Sequence, residues 1–151
     1  QRKIMVYARE YLPKIGYKPR IELMNPMIRG LVGEKMSSSI EGTKIDLLDS
    51  EEVIKKRINK ADCVEGDINN GLMALLKYLV FGIKSEFIIK RPEKYGGNLK
   101  YSSYEDVEKD FADKKIHPLD LKNALSKEIS DLLSGINKDK KIHELYKKAY
   151  E

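Results

Sequence analysis

The chain has 151 residues, 41% hydrophobic and 35% charged, with 29 Lys and Arg against 24 Asp and Glu, and one cysteine. This composition predicts a soluble globular chain of one domain or a little more. It argues against a disulfide scaffold, since Cys63 has no partner cysteine, and against a membrane span, since no apolar run approaches the ~20 residues required. The net charge of +5 permits a nucleic-acid partner without specifying one.

Arg2 and Lys3 lead into an amphipathic stretch and not a signal peptide, so a reducing cytoplasm is the expected location. Gln1 stands where a methionine would open a chain, and a helical pattern begins at once; a preceding segment that completes the first domain is expected. Ile4, Ala8, Tyr11, Leu12 and Ile15 fall at helical spacing, and the helix ends near Pro13 to Gly16. Ile21 and Leu23 alternate with polar residues in Arg20–Met24, which predicts a short strand. Helix, strand and glycine-bearing loop together predict half of a parallel βαβ unit, whose ligands sit beyond the carboxyl ends of the strands.

Asp49 followed by Glu52 predicts a capping box opening a helix with Val53, Ile54, Ile58 and Ala61 inward and Lys55, Lys56, Arg57 and Lys60 outward. That basic face suits either plain solvation or contact with a phosphate backbone. After a turn at Glu65-Gly66-Asp67, an apolar helix is predicted from near Ile68 through Val80, and a short strand at Glu86–Lys90. Tyr95 tips a glycine-hinged loop over 93–98, and Leu99–Tyr101 is predicted to pair back as a hairpin strand. Ser103 caps a helix bearing Val107 and Phe111; Pro118 opens another with Leu121, Leu125, Ile129 and Leu133 inward, ended by Gly135; a last helix carries Ile142, Leu145, Tyr146 and Ala149. His143, without a helical partner, reads as a surface residue, and Tyr146 and Tyr150 as packing residues.

The stretch richest in chemistry is Lys35-Met36-Ser37-Ser38-Ser39, between Gly30 and Gly33 on one side and the polar run 41–44 on the other. A lysine supplies a point charge with three donors, and each serine a rotatable donor. By themselves these residues suit a solvated turn as well as a phosphate-binding loop. With Asn25-Pro26-Met27 and Gly30-Leu31 before it and Lys44-Ile45-Asp46-Leu47 after it, the stretch resembles the second signature, KMSKS, of the class I aminoacyl-tRNA synthetases. Gln1-Arg2-Lys3-Ile4 is similar to the segment that ends the amino-acid pocket of tyrosyl-tRNA synthetases. Lys94-Tyr95-Gly96-Gly97 and His117-Pro118-Leu119-Asp120-Leu121-Lys122 resemble anticodon-domain motifs of the archaeal and eukaryotic tyrosyl enzymes. The motifs come in the family's order and cover essentially the whole chain.

The resemblance implies a mainly α chain: the end of a Rossmann-type α/β catalytic domain (1–33), a KMSKS-type loop and linker (34–48), and a helical anticodon-binding domain with a short β-hairpin (49–151). It implies a tyrosine–tRNA ligase, in which tyrosine is activated on ATP to tyrosyl-adenylate and passed to tRNA(Tyr). Lys35, Ser37 and Ser38 would be catalytic; Met36, Ser38 and Ser39 would meet ATP; Gln1 would meet tyrosine. Tyr95, His117, Pro118, Leu119 and Asp120 would form the anticodon site, by stacking on an unpaired base and accepting from its edge. Magnesium would arrive with ATP, with no resident metal or prosthetic group, and a homodimer is implied for the full-length enzyme through regions outside this chain. The fourth signature position is Ser38 where a second lysine is common, so Lys35 carries more of the loop's charge. Two alternatives stay open: a tryptophanyl enzyme, and a non-catalytic RNA-binding module derived from a synthetase.

Overall fold

The computed structural model describes residues 2–33, 36, 40 and 42–150. Helix α1 (Arg2–Tyr11) passes into a 3-10 turn, Leu12–Ile15, closed by Gly16 at φ 88°. Here a left-handed residue lets its N–H reach back to the last carbonyls, which glycine does without steric cost. The stretch 17–29 has no regular structure, and Ile21 and Leu23 are 100% and 85% exposed. The strand expected at Arg20–Met24 is therefore not formed. Alternation makes a strand only where a neighbouring strand completes the ladder, and the described strands pair only with each other.

The body is built on α2 (Glu51–Lys60) against α6 (Pro118–Lys138). Ile54 and Ile58 on one and Leu121, Leu125, Ile129 and Leu133 on the other recur every four residues and are buried, giving each helix one continuous apolar stripe. Ser50, not Asp49, caps α2, accepting from the Val53 N–H. Helix α3 (Gly71–Leu75) begins three residues later than expected, because Asn70 takes the Leu72 and Met73 N–H groups at 3.0 Å. It continues through a π-turn, Leu76–Val80, into α4 (Phe81–Ile83). Strands β1 (Phe87–Ile89) and β2 (Leu99–Tyr101) form the expected antiparallel hairpin, with Phe87 opposite Tyr101 and Ile89 opposite Leu99. Phe87 and Ile89 face the core beside Val107 and Phe111 of α5 (Tyr104–Ala112), which Ser103 caps as expected.

Gly135 does not end α6, which runs on to Lys138 and stops at Asp139, where ψ reaches 104°. A mid-helix glycine costs only about 1 kcal/mol, and buried Leu133 and packed Ile136 flank it. Helix α7 (Lys140–Tyr150) buries no residue; Tyr146 and Tyr150 stay exposed and lie against each other at 5.0 Å. His143 is not partnerless: its Nε2 lies 2.9 Å from the Asn137 carbonyl, at the α6–α7 joint. No helix among the described residues is long and apolar enough to cross a membrane.

Candidate functional site

The signature residues Lys35, Ser37, Ser38 and Ser39, together with Gln1, lie outside the described residues; Met36 is described and half-buried. The segments on either side of the signature stretch are tied down by hydrogen bonds. The Leu31 N–H donates to the Thr43 carbonyl at 2.9 Å, closing the stem across the stretch. The Asp62 N–H donates to the Leu31 carbonyl at 2.8 Å, and the Asp62 carboxylate accepts from the Gly33 N–H, also at 2.8 Å. Gly33 sits at φ 74°, a left-handed turn that aims its N–H at Asp62. Arg29 donates to the Asn69 carbonyl at 2.7 Å. The stem thus lies on the residues that follow α2 and precede α3, with Leu31 in the same core as both.

Gly71 explains how close that approach is. A Cβ there would stand 2.2 Å from the Gly30 carbonyl oxygen and 3.1 Å from the Leu31 Cα. No side chain fits, so the start of α3 and the stem touch backbone to backbone.

The other end of the stem is held by charge. Arg57 donates to the Lys44 carbonyl at 3.1 Å, to the Asp46 carboxylate at 3.3 Å, and to the Asp49 carboxylate. Lys44 reaches Asp46 at 2.6 Å. The hydrogen bond from Lys44, with that from Arg57, holds the Asp46 carboxyl below its usual range against an opposing contribution from partial burial. This corrects the outward orientation expected for Arg57, and Asp46, held by two cations, ties down the segment after the signature. Asp49, freed from capping, accepts from the Asp46 N–H at 2.7 Å as well. A groove of about 930 Å³ runs beside the stem, lined by Gly33, Gly42 and Thr43 on one side and Lys56, Arg57 and Lys60 on the other. Its cationic wall suits an anionic partner.

Arg57→Met leaves the Asp49 side chain, only 11% exposed, without its cation. The expected cost is about 2 kcal/mol, read as a lower urea midpoint at neutral pH. Because the Asp46 pKa is depressed in the folded state, its share is complete above the ordinary carboxylate value and lost as pH falls through the lowered one. The gap between wild type and variant therefore narrows in acid.

The second cluster lies at the start of α6. His117 is the N-cap: its Nδ1 accepts from the Leu119 N–H at 3.1 Å, so the proton of the neutral ring sits on Nε2. Pro118 occupies the first turn, where a missing N–H costs nothing. Leu119 is 53% exposed. With His117 as the cap, the Asp120 carboxylate makes no hydrogen bond or ion pair among the described residues, although its residue is half-buried. Tyr95 ends the 3-10 turn Glu93–Tyr95, is 63% exposed, and has the Lys94 ammonium 4.8 Å from its ring centre.

Two connecting residues were not singled out from sequence. Lys122 donates to the Asn59 and Ala61 carbonyls at 3.0 and 2.8 Å, capping the end of α2 from the second turn of α6. Arg91 bridges the Tyr95 turn and the segment before His117. Neither has a local signal, since each partner lies beyond the reach of helical or strand spacing. Cys63 is half-buried, and burial pushes its thiol up, which makes it a poor nucleophile. No group of three or more His, Cys, Asp or Glu among the described residues is placed to hold a metal ion.

A family model for the tRNA synthetases class I (W and Y) matches residues 1–134. The chain is 53% identical over 137 residues to the cytoplasmic tyrosine–tRNA ligase of Gallus gallus, covering 90% of this chain and 26% of that protein. It is 46% identical to the tyrosine–tRNA ligase of Methanoculleus marisnigri, covering 91% of this chain and 43% of that one. The crystal structure of tyrosyl-tRNA synthetase complexed with L-tyrosine from Archaeoglobus fulgidus superposes with a TM-score of 0.85 at 38% identity, over 91% of this chain and 43% of that one. The chain thus spans between a quarter and somewhat under half of the relatives it matches. With a family model matched over nearly its whole length and relatives that are tyrosine enzymes of both eukaryotes and archaea, the chain belongs to the class I tRNA synthetases of the tryptophan and tyrosine group.

Proposed function

We propose that this chain is the part of a tyrosine–tRNA ligase that carries the second signature loop and the anticodon-binding body, divided at 1–33, 34–48 and 49–151. The observation that carries the reading is structural: one helical body holds both the hydrogen-bonded stem of the signature stretch and an exposed aromatic and a carboxylate unengaged among the described residues, suited to an unpaired base. Identity to tyrosine enzymes over 90% of the chain supports tyrosine over tryptophan.

In the first step a tyrosine carboxylate oxygen attacks the α-phosphorus of ATP, and the bond to pyrophosphate breaks. Lys35, with the hydroxyls of Ser37 and Ser38, meets the charge moving onto pyrophosphate; Met36 and Ser39 line the nucleotide; Gln1 contacts tyrosine. Magnesium enters bound to ATP. In the second step a terminal ribose hydroxyl of tRNA(Tyr) attacks the tyrosyl carbonyl and AMP leaves. Such chemistry needs positioning and electrostatics and no covalent nucleophile from the protein. Tyr95 stacks on the first anticodon base, Asp120 accepts from its edge, and His117, Pro118 and Leu119 shape the pocket. The complete enzyme acts as a cytoplasmic homodimer, joined through segments beyond this chain.

The test is ATP–pyrophosphate exchange and tRNA charging by the full-length protein. Tyrosine-dependent exchange supports the reading, tryptophan-dependent exchange replaces it with the sister enzyme, and RNA binding without exchange replaces it with a binding module. In the active protein, Asp120→Ala is expected to lower charging about tenfold or more for tRNA with the native first anticodon base. tRNA altered at that base should lose far less; equal losses would remove Asp120 from the anticodon site.

A further inference from the structure

We propose that Arg91 is a positioning residue for anticodon recognition, holding the Tyr95 turn and the start of α6 at one fixed separation. The inference rests on assigning Tyr95 and Asp120 to the anticodon, and it adds what keeps those two groups in register.

The Arg91 guanidinium donates from Nε to the Gly97 carbonyl at 3.0 Å and from Nη1 to the Lys115 carbonyl at 3.1 Å. Its backbone N–H donates to Asn98 Oδ1 at 3.0 Å. Gly97 lies two residues after Tyr95, and Lys115 two residues before His117. One planar group therefore bonds the carbonyl of each loop.

Other backbone bonds in these segments are local. In the first, Tyr95 and Gly97 donate to Pro92 and Gly96 donates to Glu93; in the second, Lys114 donates to Phe111 and Lys115 to Asp110. Among the described residues, the bond from Arg91 to Lys115 is the hydrogen bond that joins 91–98 to 113–120. Each loop is closed by its own local bonds, the shared core packs β1 against α6, and Arg91 adds the polar tie between the two loops themselves.

Gly96 makes room for this arrangement. It sits at φ 92°, and a Cβ there would come within 3.2 Å of Arg91 Nη2. A single base can be stacked and hydrogen-bonded at once only if both protein groups are held within a few tenths of an ångström. A guanidinium, with its rigid fork of donors, can hold two carbonyls in fixed geometry. A lysine ammonium on a flexible stem cannot reproduce both bonds.

The experiment measures kcat/KM for tyrosylation by the full-length protein with two tRNAs, one with the native first anticodon base and one altered there. For Arg91→Lys and Arg91→Gln, the ratio of native to altered is expected to fall about tenfold, carried by KM for the native tRNA. An equal loss on both tRNAs, leaving the ratio unchanged, would assign Arg91 a merely structural part and overturn the inference. A wild-type protein that charges both tRNAs alike would overturn the anticodon assignment, and this inference with it. Arg91→Lys keeps the charge and the aliphatic stem, so it carries the test should Arg91→Gln fail to fold.

Discussion

Full-length protein carrying Lys35→Ala is expected to form tyrosyl-adenylate about 10²-fold more slowly or worse, with a much smaller change in tyrosine affinity. The reason is the composition of the signature. Where many class I enzymes have two lysines, this chain has Lys35 followed by Ser37, Ser38 and Ser39. Hydroxyl donors orient phosphate oxygens but bring no net charge, so the positive charge of the stretch rests on one side chain. A cation that meets developing charge on the leaving pyrophosphate stabilises the transition state more than the ground state, so its loss appears in the rate. The measurement is single-turnover pyrophosphate release at saturating ATP and tyrosine. An unchanged rate would remove Lys35 from catalysis. A loss confined to KM for ATP would reduce it to a ground-state contact.

Gly71→Ala is expected to destabilise the fold by about 3 kcal/mol, a large share of a typical domain's total. The opposing effects can be weighed. Alanine gains at most about 1 kcal/mol over glycine within a helix, and less at position 71, the first residue of α3. Against this, the new Cβ would stand 2.2 Å from the Gly30 carbonyl oxygen, and its neighbours there are backbone atoms with no rotamer to escape into. Either α3 or the stem must move by about an ångström, and the stem segment also holds Leu31, buried to 1% exposure.

A control comes from the same chain. Gly135 lies inside α6, and a Cβ added there would meet nothing within 4 Å, so Gly135→Ala should stabilise by about 0.5–1 kcal/mol. Opposite shifts of the urea midpoint are the expected result. A neutral Gly71→Ala would mean that the stem and α3 separate easily. Since Gly30 and Leu31 lead to the signature, the same substitution should also slow adenylation in molecules that remain folded.

Most of the body was legible in sequence because it follows short-range rules. The stripe Leu121, Leu125, Ile129 and Leu133, the cap at Ser103, Pro118 in a first turn and the hairpin of Phe87–Ile89 with Leu99–Tyr101 all depend on residues within a few positions of one another, or on one adjacent strand. The misreadings share a cause. Arg20–Met24 alternates like a strand, but alternation does not supply a pairing partner. Asp49 and Ser50 are both good caps; Asp49 was claimed by Arg57, which left Ser50 at the helix start.

The sequence by itself determined the helical periodicity, the family and the two groups of motif residues. These are encoded in local spacing and residue type, and local spacing survives without a fold. Only the tertiary structure decided what supports them. Asp62 holds Gly33 across 29 positions, Lys122 holds Ala61 across 61, and Arg91 holds Lys115 across 24. A hydrogen bond between residues so far apart leaves no periodic trace, because the chain between them can take many paths and one packed core selects among them. The signature stretch at 35–39 was thus recognisable from its letters, while the stem that presents it exists only because α2, α3 and residues 29–33 share Leu31's core.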